Sequence, residues 1–308
     1  MKRIFSLMVM AIAILNGLSA QNPGDLDSTF NGLGHRIVAD TTYLEFEHVA
    51  VMADGRIVAA GLYNYAFAPE LWVQRYMPDG SLDTSFAHTG EVILGGYPFV
   101  GEYMGMALQP DGKVVLIATV LAQGIECHRV VRLNVDGSLD SGFGNAGQVL
   151  DPINSLSMFA FRIFVQPSGR LVAATQSFNG ASAIAFLPNG TRDFSYGNWS
   201  GTGNVELSVT GSLYLTDAAM QPDGKVISLT NFQENQEDYF FLTRLTANGL
   251  PDSSFGTNGV LALYDSIYGE AQFAVDANAA GEVFVSGVHS SSINLVKAAV
   301  HKFLPDGS

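Results

Sequence analysis

The chain has 308 residues, of which 47% are hydrophobic and 14% charged, and it carries a formal charge of −14. Apolar content that high excludes a disordered chain and is enough for a large core. So acidic a balance argues against nucleic acid or an anionic membrane surface as partner, and the single cysteine, Cys127, excludes an internal disulfide.

The first element in chain order is a leader. Lys2-Arg3 precedes an uncharged apolar run from Ile4 to Leu18, and Ser19-Ala20-Gln21 follows it. A basic start, a short apolar stretch and a small-residue exit predict a secretory signal peptide over residues 1–20, cut after Ala20 with Ser19 as the alternative. A retained membrane anchor is the competing reading. No cysteine follows the run, so no lipid anchor is expected there. Loss of Lys2 and Arg3 takes the charge from −14 to −16. The mature chain is therefore expected to be secreted or held at the cell surface, without membrane insertion and without nucleic acid as partner.

From Leu26 onward one motif returns five times. It reads Leu26-Asp27-Ser28-Thr29-Phe30, Leu82-Asp83-Thr84-Ser85-Phe86, Leu139-Asp140-Ser141-Gly142-Phe143, Arg192-Asp193-Phe194-Ser195-Tyr196 and Pro251-Asp252-Ser253-Ser254-Phe255. The aspartates lie 56, 57, 53 and 59 residues apart. A tight turn keeps the same beat at Asp54-Gly55, Asp111-Gly112, Ser168-Gly169 and Asp223-Gly224, with a weak copy at Gly281-Glu282. A second turn precedes the Leu-Asp motif, as in Pro78-Asp79-Gly80, and recurs at Pro305-Asp306-Gly307. Proline presets φ, aspartate caps its own backbone and glycine takes the positive φ. Three periodic signals in register predict an array of one structural unit over residues 21–308, with units near 27–82, 83–139, 140–192, 193–251 and 252–308.

Within the unit from Asp83, β-branched runs bounded by glycine, proline and aspartate predict four strands: Gly90–Leu94, Tyr103–Gln109, Lys113–Val120 and His128–Leu133. No stretch of the mature chain has a 3.6-residue apolar period. The expected fold is all-β, a β-propeller of four-stranded antiparallel blades, five repeats in this chain. The third unit is the least regular, with Ser168 for aspartate and Arg192 for leucine, and the fifth is expected to lose its tight turn at Ala279-Ala280. Pro305–Ser308 stops where other units begin a Leu-Asp motif. A larger ring continuing past Ser308 is expected over five blades closed through Leu26-Asp27.

Pro78–Phe86, with Gln109–Val114 and Gln221–Val226, resembles the bacterial delta-60 repeat over nearly all of residues 24–308. The resemblance implies a secreted or surface β-propeller-like array. It implies no activity, so no catalytic residue is carried over.

Repetition sorts the remaining residues. Asp27, Asp83, Asp140, Asp193 and Asp252 are expected to cap turns and junctions, and Phe30, Phe86, Phe143, Tyr196 and Phe255 to wedge between blades. Arg75, Arg132, Arg244 and Lys302 share one repeat position and are expected to pair with a backbone carbonyl or an aspartate. In an up-and-down blade the tight turn and the Leu-Asp junction share one end. The connections at the other end vary freely and are the expected recognition surface. Candidate ligand-binding residues there are Tyr63, Tyr65, Phe67, Glu45, Glu47, His48, Glu102, Glu126, Phe178, Glu237, Asp238, Tyr239 and His289. The junction end is the competing surface.

No His-Glu-x-x-His, Gly-x-Ser-x-Gly or Cys-x-x-Cys occurs. The six histidines share no repeat position, so no metal and no cofactor are expected. Calcium on the Asp-Gly-Ser-Leu-Asp runs is the alternative to plain Asx-turns. Cys127 is expected to be a buried, inert thiol. The function expected is a non-enzymatic binding or adhesion scaffold for a protein or glycan, oligomeric state unassigned. The alternatives are a carbohydrate-active hydrolase or lyase using acids at the channel mouth, with Glu45, Glu47 and His48 as its densest polar cluster, and a structural spacer in a longer surface protein.

Overall fold

The computed structural model describes residues 26–38, 44–64, 69–153, 159–177, 180–197, 204–206, 213–234, 237–267, 274–292 and 295–308. The expected leader over residues 1–20 lies outside them. Every regular element described is a β-strand. Blade 1 contains β1 (Leu44–Val51), β2 (Ile57–Tyr63), β3 (Glu70–Tyr76) and β4 (Glu91–Leu94). Blade 2 contains β5 (Phe99–Leu108), β6 (Val114–Ala122), β7 (Ile125–Leu133) and β8 (Gln148–Pro152). Blade 3 contains β9 (Phe159–Val165), β10 (Leu171–Ser177), β11 (Gly180–Phe186) and β12 (Asn204–Glu206). Blade 4 contains β13 (Leu213–Met220), β14 (Val226–Glu234), β15 (Glu237–Leu245) and β16 (Val260–Ile267), and blade 5 contains β17 (Ala274–Ala277), β18 (Val283–Ser292) and β19 (Leu295–Phe303). Each sheet runs in sequence order and is antiparallel throughout. The architecture is a β-propeller of four four-stranded blades and one blade with three described strands.

Two sequence expectations need correction. The strand at Glu91–Leu94 was expected to open the unit beginning at Asp83, yet it pairs with β3 of the sheet before it. Unit and sheet are therefore one strand out of phase: the motifs at Asp83, Asp140, Asp193 and Asp252 lie inside a blade, between its third and fourth strands, and the motif at Asp27 precedes β1. The fifth tight turn is also kept. Asn278 N–H bonds the Glu282 carbonyl at 3.0 Å and Gly281 N–H the Asn278 carbonyl at 2.9 Å, matching Gln109, Lys113 and Gly112 in blade 2. The Asn278 side chain caps the Ala280 and Glu282 amides, each at 3.0 Å, and Gly281 supplies the positive φ, so the lost aspartate is dispensable.

Side chains alternate across a strand, and a blade sandwiched between blades must be apolar on both faces. Thus β6 is buried almost end to end. Its Val114, Leu116 and Ala118 meet Val58, Ala60 and Leu62 of blade 1, while Val115 and Ile117 meet Ile163, Leu171 and Ala173 of blade 3. Ile227 and Leu229 likewise meet Val275, Val283 and Val285.

The Asp-x-x-Phe motif ties blade to blade. Phe86, Phe143, Tyr196 and Phe255 are wholly buried. These rings, and that of Phe30, lie over the turn glycine of the following blade: Gly80, Gly137, Gly190, Gly249 and Gly307. Those glycines have φ between +80° and +89°, and a Cβ there would approach the ring to 2.6–3.0 Å. Conformation and contact both demand glycine. The residue after each ring donates its N–H to the next turn: Ala87 to the Asp136 carbonyl at 2.6 Å, Gly144 to Asn189 at 2.8 Å, Gly197 to Asn248 at 2.9 Å. Asp83 accepts from the Ser85 amide (3.0 Å) and hydroxyl (2.6 Å) and from Arg75 Nε (2.7 Å). Arg75 in turn lies 4.7 Å from the Phe86 ring and donates to the Val135 carbonyl of the next unit.

Arg132 and Arg244 repeat this arrangement on Asp140 with Pro188 and on Asp252 with Pro305. Unit 3 has Ala185 at that register position. Arg170, from the neighbouring tight turn, takes over. It pairs with Asp193 at 2.8 Å, donates to the Ala247 carbonyl at 3.0 Å and lies 5.6 Å from the Tyr196 ring. Lys302 departs from its expected partners and pairs with Glu282 at 2.7 Å.

Candidate functional site

Antiparallel order puts the β1–β2 and β3–β4 connections at one end of the blade and the β2–β3 and β4–β5 connections at the other. The repeated turns and all the latches above are at the first end. At the second end, Tyr65, Phe67 and Phe178 lie outside the described residues. The other candidates sit on strands, where loops were expected. Glu45, Glu47 and His48 are in β1, Glu102 in β5, Glu126 in β7, Glu237, Asp238 and Tyr239 in β15, and His289 in β18. The cause is visible at Gln123-Gly124. Both residues have positive φ, 52° and 81°, which makes a two-residue hairpin and lets β6 and β7 run to its edge. Glu126 is exposed there. Tyr63, half-buried, sets its ring edge-on to Trp72 at 6.3 Å, and Phe46 stacks on Trp72 at 4.6 Å.

The first strands of the blades adjoin one another and form the inner layer. Counting four residues back from the first residue of each tight turn gives one repeat position: His48, Gly105, Arg162, Asp217 and Ala274. Three of these carry polar side chains, and they meet. His48 Nε2 lies 2.8 Å from the Met104 carbonyl, and Arg162 Nη1 lies 3.0 Å from His48 Nδ1. Arg162 pairs with Asp217 Oδ1 at 2.8 Å, and Asp217 Oδ2 accepts the Val275 N–H at 3.0 Å. One polar chain therefore runs through all five blades. Bulges beside His48, Arg162 and Asp217 turn these side chains toward one another. Gly105 leaves room for it, since a Cβ there would come within 2.8 Å of Ile163 N and 2.9 Å of the Arg162 carbonyl carbon.

Charge states follow from the partners. A guanidinium only donates, so His48 Nδ1 accepts and its Nε2–H donates to Met104; the imidazole is neutral. Burial lowers its pKa, and the adjacent Arg162 lowers it further. Glu47, on the bulge, accepts the Met104 N–H at 3.1 Å through Oε2, while Oε1 is buried with no partner. Burial is the main reason its pKa rises to about 7, helped by Glu45 and opposed by the Met104 amide and Arg162. Glu47 and His48 border a cavity of about 300 Å³, whose wall includes Phe30, Arg36, Phe46 and Tyr76. Arg162 and Asp217 are the residues that single-position reading missed. Superposing the repeats on the tight turn, four residues back, is the signal that finds them.

Chemically, Asp217 is engaged at both oxygens, which leaves Glu47 as the cluster's one carboxyl with an unpaired oxygen. Among the described residues no three His, Cys, Asp or Glu side chains are placed to share a metal ion. Cys127 is buried, and burial together with Asp151 raises its pKa, so the thiol is held protonated.

Residues 53–86, 109–143 and 221–255 match the family described as "Domain of unknown function (DUF5122) beta-propeller". No curated protein matches the chain. Among solved structures the chain is similar to the GH43 endo-arabinanase from Bacillus licheniformis, at 10% identity and a TM-score of 0.40, covering 84% of this chain and 94% of that one. It is similar to Drosophila Semaphorin 1b, extracellular domains 1-2, at 15% identity and a TM-score of 0.42, covering 84% of this chain and 52% of that one. It is also similar to the apo prolyl oligopeptidase B of Galerina marginata, at 12% identity and a TM-score of 0.43, covering 86% of this chain and 38% of that one.

Proposed function

This chain carries repeats of the DUF5122 β-propeller family, and from that footing we propose that it is a secreted or cell-surface, non-enzymatic binding scaffold. It recognises a protein or glycan through the end of the propeller opposite the latches. The observation that carries this reading is the division of labour between the two ends. Asp83, Asp140, Asp193 and Asp252 are each held in an ion pair at the junction end, so the repeated acids serve cohesion. The opposite end carries connections that differ from blade to blade, and a rigid scaffold presenting variable connections is the usual carrier of recognition. The Lys2–Ala20 leader supports export.

Retention of cell-surface material and binding on a glycan array test the reading, each against a variant with the β2–β3 connections of all blades exchanged for Gln123-Gly124. Binding by the native chain and loss in the variant is the expected result. Equal binding by both overturns the assignment to this end.

One observation favours the carbohydrate-active alternative. Glu47, with its pKa near 7 beside a cavity, has the protonation behaviour of a general acid. That chemistry needs a second carboxylate, and Asp217 is committed to Arg162. Polysaccharide turnover abolished by Glu47→Gln would establish the alternative over the binding reading.

A further inference from the structure

At the latch end two blade junctions carry a glutamine bond that the junction of blades 1 and 2 lacks. In units 3 and 4 the tight turn opens with a glutamine that reaches across to the next turn's glycine: Gln166 Nε2 donates to the Gly224 carbonyl at 2.6 Å, and Gln221 Nε2 to the Gly281 carbonyl. Unit 1 has Met52 at that place. Its methyl carbon lies over Gly112 just as the two amides lie over theirs, 3.3 Å from a Cβ built there, against 3.4 and 3.5 Å for the amide nitrogens. A thioether cannot donate, so this cross-blade bond is lost. A cleft of about 430 Å³ lies there, against about 160 Å³ beside Gln221 at the junction of blades 4 and 5.

The geometry points to this cleft as a second binding site, one that takes an alkylammonium group: the lysine side chain of a partner polypeptide. Its volume falls within the range of small-ligand sites, and its wall is mainly apolar, formed by Met52, Leu108 and Val135. Methionine adapts to irregular aliphatic shapes, and a lysine stem lies along apolar surface while its head seeks charge. At the mouth stand two carboxylates. Asp54 is closely paired with Arg56 at 2.6 Å. Asp111 is half-exposed and loosely paired, because its own neighbour Lys113 prefers Asp140: 2.9 Å against 3.7 Å. Asp111 is thus an anion with unfilled capacity at the rim of an apolar slot. Gln109, in the same wall, has a buried side-chain oxygen with no partner. An anionic head would face two carboxylates and one already engaged guanidinium. The site is at the opposite end from the surface assigned to recognition above and does not depend on that reading.

Ligand-observed saturation-transfer NMR on the full chain tests it with N-acetyl-lysine methylamide. The norleucine and glutamate analogues are run in parallel. The lysine analogue is expected to bind at least about tenfold more tightly than either. Met52→Gln, which restores the amide of the later units, is expected to weaken lysine binding at least about tenfold without lowering the melting temperature. Asp111→Asn is expected to reduce the lysine analogue to the level of norleucine. The inference is overturned if the lysine analogue does not bind, if glutamate binds as well, or if Met52→Gln retains native affinity. Should Met52→Gln prove unstable, Asp111→Asn decides alone, and unchanged lysine binding there overturns it.

Discussion

Tyr196 stands where the other units carry phenylalanine, and its hydroxyl is wholly buried with no hydrogen-bond partner. Burial pushes its pKa up, as expected of a phenol that cannot be solvated. An unsatisfied buried donor costs about 1–3 kcal/mol, so Tyr196→Phe is expected to stabilise the fold by about 1 kcal/mol, read from urea unfolding midpoints. Glu47 makes a prediction of opposite kind. Its folded-state pKa of about 7 exceeds the ordinary carboxyl value of 4.5. The folded state therefore binds the extra proton, and this group's contribution is complete below pH 4.5 and lost as pH rises through about 7. Compared with native protein, Glu47→Gln is expected to lose that dependence, so the stability difference between the two changes between pH 5 and pH 8. A constant difference contradicts the assignment. Neither behaviour was legible in the sequence, where Tyr196 passes for a conservative wedge and Glu47 for one acid of a polar cluster in a variable connection.

At the scale of the element, each latch depends on one cation that touches the Asp, the ring and the next unit's carbonyl together. Three units place it on the third strand, whereas unit 3 draws Arg170 from the tight turn. Removing one partner of a buried pair costs about 3–5 kcal/mol, since the other charge is left uncompensated. Arg170→Met is therefore expected to destabilise by about 3 kcal/mol. Arg56→Met, at the same repeat position, is expected to cost under about 1 kcal/mol because Asp83 keeps Arg75. Equal losses in denaturant titrations would show that the compensation is not real. The third unit's irregularity was legible as substitutions at Ser168 and Arg192. The compensation was not, because residues 170 and 185 become alternatives only when β10 and β11 pair.

For the whole molecule, the latches predict acid lability. Burial acts to raise the pKa of Asp83 and of Asp252, but hydrogen bonds from Ser85 and Ser254 and the pairs with Arg75, Lys225 and Arg244 hold both at about 2. These groups contribute stability above pH 3.8 that is lost as pH falls toward 2. The melting temperature is expected to fall steeply across that window, and a flat profile would contradict the latch as a source of cohesion. Because serine and arginine already fill the motif carboxylates, EDTA is expected to leave the melting temperature unchanged; a drop would reinstate calcium.

What the residues alone determined was the unit and its repeat. Proline, aspartate and glycine set turns by local dihedral preference, and β-branched runs between them set strands, so the all-β propeller and the roles of the Asp-x-x-Phe motif followed from local chemistry. What the tertiary structure decided was everything that depends on which strand lies beside which. It assigned the strand after the motifs at Asp83, Asp140, Asp193 and Asp252 to the preceding sheet, turned expected loop residues into strand ends, and gathered His48, Arg162 and Asp217 into one chain. Residues 114 and 55 positions apart in sequence meet only because a repeated sheet, twisted about a common axis, brings the same position of every copy to the centre.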